Sequence, residues 1–120
     1  MKKVLLLLSL SAILGACASM SMPAKVENGM LVGPNGMTLY TFDKDAAGSG
    51  KSVCVDKCAV NWPPFMADGS GGGDWSVITR ADGSKQWAYK GWPLYYWIKD
   101  QKPGDMTGDN VNKVWHIVKQ

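Results

Sequence analysis

Beyond residue 24 the apolar positions fall into short alternating runs, separated by polar stretches rich in glycine and proline. Residues 30–32 and 37–42 flank Gly33-Pro34-Asn35-Gly36, and residues 75–80 and 85–89 flank a turn carrying Asp82-Gly83. Alternation around such turn residues predicts two β-hairpins. Residues 92–98 and 114–118 read as further strands, with a polar loop over 99–112. Residues 43–73 are loop-rich, with Gly48-Ser49-Gly50 near their start and Gly69-Ser70-Gly71-Gly72-Gly73 at their end. No segment sustains a 3.6-residue period. Past residue 16 leucine occurs only as Leu31, Leu39 and Leu94, too few for a helical bundle. The pattern predicts an all-β fold: a small domain of related β-meander or hairpin units with long Gly-rich loops.

The N-terminus follows a different pattern. Lys2 and Lys3 precede an apolar run from Val4 to Ile13, the layout of a secretory signal and too short to span a bilayer. Leu14-Gly15-Ala16-Cys17 resembles the lipobox of bacterial lipoproteins. That resemblance implies cleavage after residue 16 and acylation of Cys17, an anchor that needs no protein contact with the membrane. The expected organisation is a signal peptide over 1–16, a lipidated tether over 17–24, and one β domain over 25–120. Ala18 follows the cysteine, and the absence of aspartate there implies outer-membrane delivery in a two-membrane envelope. Removing Lys2 and Lys3 brings the formal charge from +3 to +1. No basic stripe remains to follow phosphates, so nucleic acid is not an expected partner.

The chain also resembles itself. Gly36, Leu39, Tyr40, Lys44 and Asp45 recur as Gly91, Leu94, Tyr95, Lys99 and Asp100 at an offset of 55, with Phe42 facing Trp97. Downstream, Val60-Asn61-Trp62 parallels Lys113-Val114-Trp115. Self-similarity of this kind predicts two copies of one supersecondary unit, over about 30–64 and 75–118. Within each copy the tyrosine and the aromatic two positions on share a strand face. The aspartate falls where the strand should end and can accept backbone N–H groups in a turn. The competing reading makes the two aromatic–acid sets the walls of a ligand groove between the copies.

Tyr40-Thr41-Phe42-Asp43-Lys44-Asp45 and Tyr95-Tyr96-Trp97-Ile98-Lys99-Asp100 match a Tyr-x-(Phe/Trp/Tyr)-x-x-Asp motif. Together with Cys58-Ala59-Val60-Asn61-Trp62-Pro63-Pro64, Gly91-Trp92-Pro93-Leu94-Tyr95-Tyr96 and Pro103-Gly104-Asp105, they make the chain resemble a bacterial family of small secreted-repeat lipoproteins. The resemblance covers nearly all of the mature chain. It implies an exported, lipid-anchored domain of two repeats and carries no reaction with it.

Three cysteines is an odd number for an exported chain. With Cys17 acylated, Cys54 and Cys58 remain to pair. Four residues apart they cannot bridge in a straight strand, but a helical turn or tight loop brings them within range. A disulfide closing so small a ring is worth about 2 kcal/mol. A redox-active dithiol is the functional alternative, although the spacing is one residue longer than the thioredoxin type. Metal chemistry has few candidates: Met20 and Met22 as soft ligands on a tether, and His116 in an apparent strand. No cofactor is expected. No Gly-x-Ser-x-Gly elbow is present, and Asp45 with Asp100 reads more simply as two turn-forming residues than as an acid–base pair. Six tryptophans is a heavy load for this length, and an exposed cluster of them would be a binding surface.

The function expected from the sequence is therefore a lipid-anchored envelope protein that binds rather than catalyses. Its partners would be the membrane, through the acyl chains on Cys17, and an envelope protein or glycan. Two other classes stay open: a redox or metal-handling accessory, and a cell-wall hydrolase or its inhibitor.

Overall fold

The computed structural model of the protein describes residues 22–120. The signal segment, Cys17 and Met20 lie outside that range. The described chain is mostly β, in small sheets built from hairpins: β1 (Lys25–Glu27), β2 (Met30–Val32), β3 (Tyr40–Phe42), β4 (Trp75–Thr79), β5 (Lys85–Tyr89), β6 (Trp92–Pro93) and β7 (Trp115–Ile117). One short helix, α1 (Lys57–Asn61), lies in the first long loop, and a 3₁₀ turn covers Val111–Lys113. All strand pairings are antiparallel: β1 with β2, β3 with β7, and β5 with both β4 and β6.

Turn chemistry sets the hairpins. Asn35 accepts the Met37 N–H at 3.0 Å through its side chain, and the Gly36 N–H bonds the Gly33 carbonyl at 2.9 Å. Asp82 accepts the Ser84 N–H at 2.9 Å, and Gly83 takes the left-handed conformation that its turn demands. The sequence pattern does not place a strand at β1, and the hairpin it predicts from residues 30–32 and 37–42 forms only around Val32 opposite Thr38, because β2 pairs with β1 and β3 pairs with β7.

That last pairing reveals how the two copies combine. Tyr40 and Tyr95 exchange both backbone hydrogen bonds, at 2.8 and 3.0 Å, joining the two motif strands at their centre. The strand after Trp115 then pairs with the motif strand of the first copy, Tyr40 opposite Ile117 and Phe42 opposite Trp115. In the same way, the stretch after Trp62 pairs with the motif strand of the second copy: Tyr96 N–H bonds Pro63 O at 2.7 Å, and Ile98 N–H bonds Asn61 O at 3.0 Å. Each copy lends its last strand to the other. The stretch after Trp62 pairs at single positions rather than as a continuous ladder, because Pro63 and Pro64 have no N–H to donate.

Two cores result. One, of Ala24, Leu31, Leu39, Phe65, Trp75, Trp87 and Leu94, lies among the hairpins. The other, of Tyr40, Phe42, Cys54, Trp62, Tyr95 and Trp115, lies under the two loops by which the chain crosses from one half to the other. Leucines at matched positions, Leu39 and Leu94, are fully buried in the first, and tyrosines at matched positions are fully buried in the second.

Candidate functional site

The second core is organised by a ladder of four rings. Phe42 stacks on Trp115 (centroids 4.1 Å, 10° between planes), Trp115 on Trp62 (3.7 Å, 4°), and Trp62 on Trp97 (3.9 Å, 25°). The outer rings come from the motifs and the inner two from the exchanged strands. Tyr40 meets Trp62 edge-on at 5.5 Å, and Tyr95 meets Trp115 edge-on at 5.2 Å. Stacked and edge-to-face pairs are each worth about 1 kcal/mol beyond the area they bury.

The motif aspartates complete the exchange. The Tyr40 hydroxyl donates to Asp100 Oδ2 at 2.6 Å, and the Tyr95 hydroxyl donates to Asp45 Oδ2 at 2.7 Å. Each tyrosine thus bonds the aspartate of the other copy. The second carboxylate oxygen holds a crossover loop: Asp45 Oδ1 accepts the Val53 N–H at 2.8 Å, and Asp100 Oδ1 accepts the Thr107 N–H at 2.9 Å and its hydroxyl at 2.7 Å. All four side chains are buried, so no open groove runs between the two aromatic–acid sets. Burial, reinforced by the neighbouring carboxylate, drives both phenol pKa values up. Burial also raises the Asp45 carboxyl, against the opposing pull of Tyr95, the Val53 N–H and Arg80.

The first crossover loop has a further brace that the sequence reading missed. Arg80 is 6% exposed and donates to Ser52 Oγ at 2.9 Å, Gln86 Oε1 at 2.7 Å and the Cys54 carbonyl at 2.6 Å. Gln86, fully buried, donates its Nε2–H to Leu94 O at 2.7 Å. A signal was available: Ile78 and Arg80 fall on the face of their strand opposite Trp75 and Val77, so apolar residues on both faces require both to be covered. Within this loop Cys54 and Cys58 form a disulfide with Cα atoms 5.2 Å apart, tying the turn that leads into α1 to the start of the helix. Cys54 is fully buried, whereas Cys58 is partly exposed.

The remaining candidates are dispersed. His116 Nε2 lies 2.8 Å from Asp43 Oδ2 on the exposed side of the β3–β7 pair, a contact without a counterpart in the other copy. Met22 is exposed at the start of the described chain. Among the described residues, no three His, Cys, Asp or Glu side chains converge as metal ligands would. The tryptophans do not form an exposed cluster. Trp62, Trp75, Trp87 and Trp115 are buried and Trp92 and Trp97 half-buried, because the hairpins and ladder need them as core. The large exposed apolar side chains are valines, methionines and an isoleucine.

Two depressions open on the surface near these features. A cleft of about 660 Å³ lies beside the incoming tether, bordered by Met22 and Pro23, the 68–72 loop with Asp68 and Ser70, Asp74, and the aromatic residues Trp75, Trp87 and Tyr89. A groove of about 380 Å³ runs past the ladder, lined by Phe42, Trp62, Trp115, Lys44, Asn61 and Cys58 among others.

These features define an internally duplicated β module, in which two copies of a tyrosine–aromatic–aspartate motif interlock by exchanging strands and hydrogen bonds. The chain belongs to the family Lipoprotein_15, described as a secreted repeat of unknown function, whose model matches it twice, over residues 22–66 and 76–119. Neither the curated proteins nor the solved structures include a match.

Proposed function

We propose that the mature protein is a non-catalytic binding module of the cell envelope, held at the outer membrane by acyl chains on Cys17, and that it takes a glycan in the tether-side cleft. Membership of a secreted lipoprotein family supports the address. The observation that carries the binding reading is the cleft itself. Its volume of about 660 Å³ falls in the range of ligand sites, and it combines an aromatic wall with the carboxylates of Asp68 and Asp74. A sugar ring offers both an apolar face and hydroxyl donors to such a surface. The motif tyrosines and aspartates, by contrast, are buried, with their polar atoms hydrogen-bonded to one another and to the crossover loops, which suits a scaffold rather than a reacting centre.

The address is tested by intact-mass measurement of the membrane-extracted protein. Two or three acyl chains on Cys17 fit the reading, and an unmodified, freely soluble chain contradicts it. Binding is tested by calorimetric titration with soluble cell-wall glycan fragments. Saturable uptake that Asp74→Ala and Tyr89→Ala each weaken at least fivefold, with unchanged folding, supports the cleft. Absence of heat at millimolar fragment removes the glycan from the account.

A further inference from the structure

We infer that Cys54–Cys58 is an exchange-active disulfide, attacked at Cys58 by the thiolate of a partner protein dithiol presented on a peptide segment. This does not depend on the glycan reading, because it concerns a different groove.

Four observations carry it. The first is regiochemistry. Thiol–disulfide exchange needs the attacking sulfur in line with the S–S bond, on the side of an accessible sulfur. Cys54 is fully buried, whereas Cys58 is partly exposed and lines the 380 Å³ groove. Attack is therefore directed to one end of the bond.

The second is the leaving group. Arg80 bonds the carbonyl of Cys54 at 2.6 Å, which fixes a guanidinium on the backbone of the residue whose sulfur departs. A neighbouring guanidinium favours thiolate over thiol and so speeds departure.

The third is that the loop is held without the disulfide. Val53 N–H is fixed by Asp45, Ser52 by Tyr95, the Cys54 carbonyl by Arg80, and the Cys58 carbonyl by the Trp62 N–H at 2.8 Å. The matching crossover loop of the second copy closes with no cysteine, on Asp100 and Thr107. These hydrogen bonds hold the loop when the bond opens, so reduction should leave the fold in place.

The fourth is the rim. Val53, Val55 and Val60, at 55%, 38% and 62% exposure, flank the two cysteines along the chain and put apolar side chains on the loop surface beside the exposed Asp56 and Lys57. Together with the aromatic edges of the groove, they suit a peptide carrying the attacking cysteine.

The chemistry balances in two steps. A partner thiolate forms a bond to Cys58 Sγ while the Cys54–Cys58 bond breaks and its electron pair leaves on Cys54 Sγ, which takes a proton from water. The second thiol of the partner, deprotonated, then attacks the mixed disulfide and releases the Cys58 thiolate. The partner is oxidised by two electrons to its own disulfide, and this chain is reduced by two to the dithiol.

The test uses the folded, detergent-solubilised lipoprotein with glutathione and then a small dithiol as probes. After acid quenching and alkylation, peptide masses should place glutathione on Cys58 and the alkyl group on Cys54. Full reduction by the dithiol should proceed without denaturant and leave the near-ultraviolet circular dichroism of the tryptophan ladder intact. As a second measurement, Cys54→Ser, which leaves the Cys58 thiol, should react with an aromatic disulfide at least tenfold faster than Cys58→Ser, which leaves Cys54. Glutathione equally distributed or on Cys54, reduction only under denaturing conditions, loss of the dichroism on reduction, or equal reactivity of the two variants would each overturn the inference.

Discussion

The Tyr40–Asp100 and Tyr95–Asp45 pairs are made of the same two side chains, in the same relation to the joined motif strands, yet their hydroxyls are satisfied differently. Tyr40 receives the Gly108 N–H at 3.1 Å, a donor that cannot accept in return. Tyr95 faces Ser52 Oγ at 2.6 Å, a hydroxyl that can act either way, and Ser52 in turn is bonded by Arg80. The first site is a fixed latch, with each proton committed. The second is the end of a side-chain network that reaches Gln86 and the disulfide loop. One motif, duplicated, thus supplies identical scaffolding twice and leaves the surrounding loops free to diverge, in one copy toward backbone packing and in the other toward a buried cation.

That comparison can be broken or sharpened in order of effect. The ladder is common to both copies, so Trp62→Ala and Trp115→Ala should each cost about 3–5 kcal/mol and by similar amounts, measured by denaturant unfolding. A large disparity would mean that the two inner rings are not equivalent.

The arginine network belongs to one copy only. Arg80→Met should cost about 3 kcal/mol, since the Cys54 carbonyl and Gln86 Oε1 lose a charged donor inside the protein. The loop of residues 43–61 should gain amide hydrogen exchange, while that of 98–113 should not.

The aspartates should separate more subtly. In Asp45→Asn the new amide can donate to the Tyr95 oxygen while the tyrosine turns its proton to Ser52, so the cost should stay under about 1 kcal/mol. In Asp100→Asn either the Tyr40 hydroxyl or the Thr107 N–H is left without an acceptor, whichever way the amide faces, at a cost of about 1–3 kcal/mol. Thermal unfolding of the two variants side by side checks the order.

The smallest expected effect is in pH. Burial holds the Asp45 carboxyl above its ordinary value, so the folded state takes up that proton more readily than the unfolded chain does. The resulting stabilisation is fully present below the ordinary carboxyl pKa and is lost as pH rises through the folded value. Relative to Asp45→Asn, the wild type should therefore lose stability as pH is raised through the acid range, a slope readable from denaturant midpoints.

Much of the local structure could be read from the sequence. Gly33-Pro34-Asn35-Gly36 and Asp82-Gly83 mark their turns by side-chain and backbone chemistry that acts within four residues; the hairpin of β4 and β5 follows in full, whereas across the first turn only the residues around Val32 and Thr38 pair. The duplication was visible too, because matched residues do matched work. What was not legible is which strand pairs with which. Tyr40 lies opposite Tyr95 and Ile117, and nothing in the local alternation distinguishes a strand that folds back on its own copy from one that crosses to the other. For the same reason the aspartates look like turn residues until their tyrosine partners, in the other copy, are seen. Arg80 is masked by residue type: a lone arginine after a strand reads as surface, although Ile78 two positions before it marks that face as one to be covered, and the packing of Gln86 there shows the arginine turned inward.

The central claim is that the motif acts between copies rather than within them, and a pair of double-mutant cycles measures it directly. Tyr40→Phe with Asp100→Ala, and Tyr95→Phe with Asp45→Ala, should show coupling energies between 0.5 and about 3 kcal/mol. The same-copy pairs, Tyr40→Phe with Asp45→Ala and Tyr95→Phe with Asp100→Ala, should add within about 0.5 kcal/mol. Coupling within the copies, with additivity across them, would contradict the interlocked arrangement.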